Sequence, residues 1–591
     1  EPPADAGDYE RIMNEAVQNG FISRLKNHIY QLHPSLPPFL RHRLTESAGE
    51  GGVQKLDTEF LKFYADFAAQ LHEKVRNANQ EAVSIVEIEE LNFLRALRIA
   101  VKTEQWALAQ AIAQTLHEFY EIRGRFREWS ALRSSLLDHT GREISIDAPR
   151  SLADLWMFLL GNEANEALRE NRLDDAEHSY KTIIQYLQKT LPEPEAERKI
   201  AVCYHQLGII AQERQQFDVA EEWYRKALEI RERLGLERDA ATEYHQLGII
   251  AQERQQFDVA EQWYRKALEI RERLGLERDA ADDYHHLGII AQERQQFDVA
   301  EQWYRKALEI FERLGLERYA AYDYHQLGRI AEERQQFDVA EQWYRKALEI
   351  RERLGMERDA ATEYHHLGII AQERQQFDVA EQWYRKALEI FERLGLERYA
   401  AYDYHQLGII AEERQQFDVA EQWYRKALEI RERLGLERDA ATVYHQMGII
   451  AEERQQFDVA EEWYRKALEI RERLGLERDA ATVYHQLGII AQKRQQFDVA
   501  EQWYRKALEI FERLGLERDA ADEYHQLGTL AQMRQQYDEA EQWYRKALEI
   551  YDKIGHPPLK VNTLAQFGVL RFRQGRLHES VAWFAKAYGI A

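Results

Sequence analysis

The stretch QQFDVAEQWYRKALEI, at residues 255–270, decides the fold because it recurs along the chain. It stands six times verbatim, and two further copies differ only by Glu for Gln, at Glu222 and Glu462. All copies are spaced at multiples of 40 residues. Self-similarity at a fixed period of roughly 20–50 residues is the signature of a repeat architecture. The sequence therefore predicts one repetitive array in place of several separate globular domains.

Each unit of the repeat is predicted to form a helical hairpin. In residues 241–280, Tyr244, Leu247, Gly248 and Ala251 recur at steps of three and four residues, which places them on one face of a first helix. The small side chains let a second helix approach closely, while Tyr264 fills the space beside them. A single hairpin cannot bury both faces, so we expect neighbouring hairpins to stack into a continuous core.

A second helix of about seventeen residues, or ~25 Å, is predicted after the QQFD segment. At its start, Asp258 and Glu261 have the spacing of a D-x-x-E capping box. At its end, Gly275 stands where a left-handed C-terminal cap favours glycine, and Leu276 is placed to fold back onto the helix.

The recurring residues resemble the pattern of the tetratricopeptide repeat (TPR) family. In residues 241–280 the matching positions are Tyr244, Leu247, Gly248, Phe257, Asp258, Ala260, Tyr264 and Ala267. The resemblance covers about residues 157–591 and implies an all-α fold, a right-handed superhelical TPR solenoid with a helical N-terminal region. Two departures leave the superhelix pitch open. Glu272 replaces the helix-ending proline of the family, and the period exceeds the usual ~34 residues.

In TPR arrays the first helices line a concave groove, so the resemblance implies a protein or peptide ligand on that face. Its side chains form a stripe of isoleucines flanked by amides, imidazoles and carboxylates. Arg329 interrupts the stripe, and it is either a specific ligand contact or a solvated substitution. The predicted groove residues are Thr242, His245, Gln246, Ile249, Gln252, His285, His286, Ile289, Tyr322, His325, Arg329, Glu332, His365, His366, Ile369, Tyr402, His405 and Ile409.

A histidine recurs at one position of successive units, from His205 to His525. Consecutive first helices pack about 8–10 Å apart, which is too far for two imidazoles to share a metal ion at ~2 Å. We therefore expect structural or groove-lining histidines and no metal site. Because histidines titrate near neutrality, lowering the pH from about 8 to 6 is predicted to change the affinity of the groove.

Two pairs of units also share extra aromatic side chains. These are Phe311, Tyr319 and Tyr322 in one pair, and Phe391, Tyr399 and Tyr402 in the other. Residues 281–360 and 361–440 differ at only four positions, which indicates a duplicated pair of units. The extra aromatics are predicted to pack at the hairpin junction, and an aromatic ligand patch is the alternative.

The chain is predicted not to be an enzyme and to hold no cofactor. None of the motifs GxxxxGK[ST], G-x-S-x-G and H-E-x-x-H occurs. Cys203, the single cysteine, takes a position that holds Glu, Asp or Val in other units, which disfavours a nucleophile. A single cysteine also excludes a disulfide framework and suits a reducing cytoplasm. Any ATPase or effector activity would lie outside this chain.

The net charge of −24 is distributed over the units and excludes two classes of partner. A uniformly acidic surface repels nucleic acid and anionic membranes. No run approaches the ~18 apolar residues that a membrane-spanning helix needs. The sequence therefore predicts a cytoplasmic location, with no nucleic-acid or membrane partner.

The first 150 residues do not repeat, but part of them has a resemblance of its own. Tyr30, His33 and Pro34, followed by FLRHRL, are similar to the end of the winged-helix segment in STAND signalling ATPases, the NB-ARC/NACHT-like group. That resemblance implies that a nucleotide-binding part lies upstream of Glu1, and the absence of an initial Met also suggests a fragment or processed product. An ordinary helical cap for the array is the other interpretation.

Four parts are predicted along the chain. Residues 1–52 are a possible winged-helix remnant with a glycine-rich loop at 47–52, and residues 53–150 are a helical linker or cap. Residues 151–200 form a degenerate TPR-like unit, and residues 201–591 form ten TPR units, the last of them truncated.

The leading functional hypothesis is a ligand-sensing TPR array that forms the sensor half of a STAND-type signalling ATPase. Defence against phage is one setting for it. A passive scaffold or adaptor in a multiprotein assembly is the alternative, as is a small-molecule-sensing regulator. Homo-oligomer formation as part of a larger protein is compatible with each of these roles.

Overall fold

The computed structural model describes residues 6–19, 22–26, 29–32, 36–190 and 195–590. Apart from one β-hairpin, the regular structure of these residues is helical, which confirms the predicted all-α class. Within the same residues, no helix has the length and apolar content needed to cross a bilayer. The chain divides into two compact units, Glu1–Ile290 and Ala291–Ala591. They are called here the first unit and the second unit, and each of them contains several of the forty-residue units of the repeat.

The elements that precede the regular array lie in the first unit. They are α1 (Ala6–Gln18), β1 (Ile22–Lys26), β2 (Ile29–Leu32), α2 (Leu36–Arg76), α3 (Gln80–Lys102), α4 (Trp106–Ile122), α5 (Phe126–Thr140), α6 (Arg150–Arg169) and α7 (Leu173–Thr190). A continuous apolar core runs from α2 into the first repeats, with Leu61, Phe93, Leu116 and Trp156 almost fully buried.

The array follows as pairs of helices of similar length. They are α8 (Glu195–Glu213), α9 (Phe217–Arg233), α10 (Glu237–Glu253), α11 (Phe257–Arg273), α12 (Glu277–Glu293), α13 (Phe297–Arg313), α14 (Glu317–Glu333), α15 (Phe337–Arg353), α16 (Glu357–Glu373), α17 (Phe377–Arg393), α18 (Glu397–Glu413), α19 (Phe417–Arg433), α20 (Glu437–Glu453), α21 (Phe457–Arg473), α22 (Glu477–Lys493), α23 (Phe497–Arg513), α24 (Glu517–Met533), α25 (Tyr537–Ile554), α26 (Pro557–Arg573) and α27 (Leu577–Tyr588).

The N-terminal segment differs from its prediction at residues 47–52. β1 and β2 pair antiparallel, with Tyr30 in β2, whereas His33 and Pro34 of the winged-helix resemblance lie outside the described residues. The loop predicted at residues 47–52 is wrong, because these residues lie within α2, which is interrupted at Gly49 with a φ of 66°. Glycine adopts a positive φ at little cost, so one residue absorbs the break. The predicted boundary after residue 52 therefore falls inside α2.

The forty-residue repeats that lie wholly within one of the two compact units form the predicted helical hairpins. In residues 241–280, α10 packs against α11, which spans 17 residues. Tyr264 is fully buried, and a Cβ added to Gly248 would lie 2.7 Å from its ring. That distance is well inside van der Waals contact, so the close approach of the two helices requires glycine. α6 and α7 also pack as a hairpin, and that they form the degenerate unit expected at residues 151–200 stays a prediction.

The turns at the two ends of the hairpin each hold a left-handed residue. Gly275 has a φ of 68°, and the amide of Leu276 donates to the Arg271 carbonyl at 2.8 Å, which confirms the predicted cap. After α10, Gln255 has a φ of 58°, which the sequence analysis did not foresee. The corresponding glutamine is left-handed in every unit from Gln215 to Gln535.

The predicted capping box is wrong. α11 begins at Phe257, and Gln256 is its N-cap without a side-chain cap hydrogen bond. Asp258 and Glu261 therefore stand two residues later than a capping box requires, inside the helix.

The D-x-x-E motif instead connects neighbouring hairpins. In the second unit, Arg334 donates to Asp298 at 2.5 Å and to Glu301 at 2.8 Å, and in the first unit Arg254 donates to Glu221 at 2.7 Å. The two acids of one second helix thus hold an arginine that follows the next first helix. The motif stabilises the stacking of hairpins.

Candidate binding face on the first helices

The predicted groove residues lie along one side of the first helices, and we call that surface the first-helix face. In the first unit, Thr242, Gln246 and Ile249 are partly exposed on α10. In the second unit, Ile369 on α16 and Ile409 on α18 stand at the corresponding position and are also partly exposed. In both compact units, the isoleucines of the stripe named here are therefore accessible to a ligand.

The recurring histidines form contacts between neighbouring hairpins. His245 on α10 lies 2.8 Å from a carboxylate oxygen of Asp283 on α12, and Arg271 approaches the same oxygen at 2.7 Å. Asp283 is fully buried, whereas the side chain of His245 is 13% exposed. Corresponding pairs, at 2.6–2.8 Å, are His205–Glu243, His325–Glu363, His365–Asp403 and His485–Glu523. These histidines mainly connect neighbouring hairpins, and only a small part of each side chain is exposed to solvent.

The buried carboxylates are the site residues that sequence reasoning missed. Asp283 lies among the apolar positions of α12, and the equivalent Glu243 and Glu363 are also fully buried. A signal was present, because an arginine precedes each of these three acids by twelve residues, as Arg271 precedes Asp283. A buried carboxylate is stable only when it is paired and hydrogen-bonded. A charged residue that recurs on a buried stripe therefore indicates a recurring partner.

The composition of this contact changes along the second unit. At Asp403 the arginine is replaced by Phe391, and burial raises the pKa of Asp403 although His365 holds one of its oxygens at 2.6 Å. At the next contact Val443 replaces the acid. Burial, together with the charge of Arg431, lowers the pKa of His405 to about 3. The histidines of the array therefore differ in how they respond to pH.

Two first helices carry a second histidine beside the first. The ring of His366 stacks on Tyr344 with centroids 4.9 Å apart, and its Nδ1 lies 3.1 Å from Glu332. The Tyr344 hydroxyl donates to the same oxygen of Glu332 at 2.6 Å. In the first unit, His286 stacks on Tyr264 in the same way, near Gln252. Burial lowers the pKa of His286 well below its ordinary value, so that imidazole is neutral.

Arg329 differs from the other polar residues of the face. It replaces the isoleucine of α14 and is partly buried. The hydrogen bond that Arg329 donates to Gln326 is long, at 3.5 Å. Among the described residues, Arg329 has no ion-pair partner. The nearby Glu332 is already engaged by Tyr344 and His366. A guanidinium with five donors is thus left with most of them available.

The extra aromatics pack at the hairpin junctions, as predicted, where α13 meets α14 and α17 meets α18. The rings of Phe391 and Tyr399 stack at 5.3 Å, and Phe311 and Tyr319 do the same. Tyr402 lies under the guanidinium of Arg431 at 5.6 Å. These rings have partners within the protein, although Tyr399 and Tyr402 are 37% and 36% exposed.

The described residues hold no group of three or more His, Cys, Asp or Glu side chains that could bind a metal ion. The first-helix face offers charged, amide and apolar groups for binding.

Several solved structures resemble the chain in part. A signal transduction ATPase with numerous domains (STAND) with a tetratricopeptide repeat sensor, from Pyrococcus horikoshii, shares 16% identity over 56% of this chain and 52% of its own, with a TM-score of 0.43. The apo form of RapI shares 18% over 47% and 98%, with a TM-score of 0.38. A Rap protein complexed with competence and sporulation factor shares 17% over 61% and 98%, with a TM-score of 0.36. At these values the likeness carries no functional argument.

The comparison with curated proteins gives no match. Sequence profiles of the tetratricopeptide repeat family match residues 199–273, 279–353, 359–433, 439–513 and 519–591, and a second profile of the same family matches residues 162–233. Together these segments cover more than half of the chain. The chain belongs to the tetratricopeptide repeat family.

Proposed function

We propose that the chain is a protein-interaction array whose first-helix face in the second unit binds an extended peptide or a segment of a protein partner. The partly exposed isoleucines of α16 and α18 supply apolar contacts at a regular spacing. Peptide recognition commonly combines such apolar contacts with a few polar groups that fix register. Membership of a family that mediates protein contacts supports the same role.

The observation that carries the proposal is the unpaired guanidinium of Arg329. The available donors of this guanidinium can pair with a ligand carboxylate in a charge-assisted, bidentate contact. The duplicated unit provides a natural comparison, because Ile409 stands where Arg329 stands in a nearly identical sequence. We therefore propose that the ligand places an acidic side chain or a terminal carboxylate at Arg329.

The test is a selection of peptides from a random display library with the purified chain, followed by affinity measurements. Acidic peptides are expected to be enriched, and Arg329→Ile is expected to weaken them about tenfold or more, since a charge-assisted hydrogen bond contributes about 1.5–3 kcal/mol. Ile409→Arg serves as the matched gain-of-function variant and is expected to add a second site.

Two results would contradict the proposal. Selection of no peptide at all would argue against a peptide-binding face, whereas selected peptides that bind Arg329→Ile with unchanged affinity would place the site elsewhere. Far-UV circular dichroism on each variant separates a lost contact from a lost fold.

We propose further that the array is the sensor half of a STAND-type signalling ATPase, with phage defence as one setting. The support is the resemblance of the N-terminal sequence together with the TPR array. A sensor transmits ligand binding to its N-terminal part, whereas a passive scaffold does not. Hydrogen exchange of α2 to α5 should therefore change when a selected peptide binds, and unchanged exchange would favour the scaffold.

A further inference from the structure

A cavity of about 340 Å³ opens in the first unit, where the degenerate hairpin meets the regular array. It lies between α4, α6, α7 and α8, and Val202 and Gln206 in its lining stand where Thr242 and Gln246 of the first-helix face stand one repeat later. Phe158, Gly161, Tyr180, Ile183, Val202 and Cys203 supply most of its lining. Pockets of roughly 300 Å³ and above are large enough for a small organic ligand.

The cavity has a definite origin in the repeat. Asn171 and Gln215 are both left-handed, with φ of 59° and 57°, and close the first helices of successive hairpins. Counting ten residues back from each places Gly161 where the next hairpin has His205. A Cβ added to Gly161 would meet no atom within 4 Å. The space that a histidine fills elsewhere is therefore empty here.

The other two members of the histidine contact are also missing at this position. In the next contact, His205 and Arg231 meet the buried Glu243. The residues corresponding to Arg231 and Glu243 are Leu187 and Cys203, and both are buried. An entire charged contact is thus replaced by glycine, leucine and cysteine.

The cavity is uncharged in its interior. Lys199 and Asp154 line it but neutralise each other at 3.0 Å, and the Tyr180 hydroxyl donates to Asn165 at 2.6 Å. Burial raises the pKa of Cys203 to about 12, so its thiol stays protonated. The side-chain amides of Gln110 and Gln206 line the cavity as well and can bond to a polar edge of a ligand.

We propose that this cavity binds a small uncharged aromatic compound of one or two fused rings. An engineered apolar cavity of about 150 Å³ holds benzene, so the present volume accommodates a larger ring system. The rings of Phe158 and Tyr180 and the chain of Ile183 offer apolar contacts, and the amides select for a hydrogen-bonding edge. In the next hairpin, His205 and Glu243 fill the equivalent space. A peptide would need a cavity at each successive hairpin for its side chains, and the next hairpin does not provide one. That isolation favours a free small molecule.

The test uses the full chain and two probes of the same shape, neutral indole and anionic indole-3-acetate, in calorimetric titrations. The wild type is expected to bind one indole and to bind the anion at least tenfold more weakly. The variant Gly161→His, Leu187→Arg, Cys203→Glu rebuilds the charged contact and should weaken indole binding at least tenfold. The reverse variant His205→Gly, Arg231→Leu, Glu243→Cys copies the cavity and should bind two.

The single substitution Gly161→Leu fills the cavity with one change and replaces the triple variant if that one does not fold. Gly51→Leu, at another helical glycine without neighbours within 4 Å, is the matched control and should leave binding unchanged. The proposal is overturned if the wild type does not bind millimolar indole, or if filling the cavity leaves the affinity unaltered. It is also overturned if an aromatic peptide occupies the cavity where free indole does not.

Discussion

At the scale of single residues, identical amino acids have opposite roles in this chain. Gly248 is required because the ring of Tyr264 leaves no room for a Cβ, whereas Gly161 faces open space. Both glycines lie inside helices with ordinary backbone angles, so only the packing distinguishes them. The comparison isolates the effect of a close helix approach from that of helix propensity.

We predict that Gly248→Ala destabilises the chain by about 1–3 kcal/mol, because overpacking outweighs the gain in helix propensity. Gly161→Ala should instead stabilise it by up to about 1 kcal/mol, since alanine is the better helix former and nothing obstructs it. Urea unfolding followed by circular dichroism gives both values. Equal shifts for the two variants would show that the tyrosine ring yields to the added methyl group.

At the scale of elements, buried contacts of the recurring histidines connect neighbouring helix hairpins. The residues that make these contacts vary, whereas the sequence around them is nearly constant. His405 and His445 face Val443 and Val483 in place of an acid. Burial, with the charges of Arg431 and Arg471, lowers their pKa values to about 3 and about 4. Acidification therefore destabilises these two contacts, and it also acts on His286, whose pKa burial lowers well below its ordinary value.

Stability should fall as the pH drops from 7 to 5. The pKa of each histidine is depressed in the folded state, so below its unfolded value of about 6.5 the unfolded chain takes up a proton that the folded chain does not. Allowing for partial exposure, the loss is about 1–2 kcal/mol for each histidine.

Val443→Glu is the matched variant, because an acid at that position would restore the contact that Glu363 makes with His325 and Arg351. The loss of stability between pH 7 and pH 5 should then be smaller by the contribution of His405. Thermal unfolding at pH 7 and pH 5 measures the difference. A variant with the same pH dependence as the wild type would assign the sensitivity to other groups.

Helix positions and the close approach at Gly248 could be predicted, because they depend on local periodicity repeated many times. The capping box could not be distinguished from an arginine-binding pair by sequence, since Asp258 and Glu261 have the required spacing in either case. The histidines were predicted as groove residues for a related reason. Their inter-hairpin partners lie 38 residues away, as His245 and Asp283 do, beyond the reach of a single-helix pattern. The ligand-binding role of the first-helix face stays a prediction.

At the scale of the whole molecule, stability is expected to be a sum over hairpins and their contacts. Residues 321–360 and 401–440 differ only at Arg329, which is Ile409 in the second copy, and at Met356, which is Leu436. Residue 440 is the copy of residue 360 and is followed by residue 441. Deletion of residues 361–440 therefore joins residue 360 to the sequence that already follows its copy. The shortened chain should fold, keep its helicity per residue and lose only part of its thermal stability.

A control deletion of residues 361–420 removes one and a half units and joins hairpins out of register. It should lower the helicity and expose apolar surface, as reported by circular dichroism and dye binding. If both deletions behave alike, the forty-residue register is not what specifies the stacking.

The left-handed glutamine has a consequence for engineering. A non-glycine residue in this conformation costs about 1–2 kcal/mol relative to an unstrained one, and the same turn is present nine times, from Gln215 to Gln535. In a protein with one such turn, relieving it would be a minor improvement. Here duplication has copied the unfavourable turn as faithfully as the favourable contacts, so one substitution to glycine or asparagine, transferred to every copy, multiplies a small gain into a large rise in heat resistance.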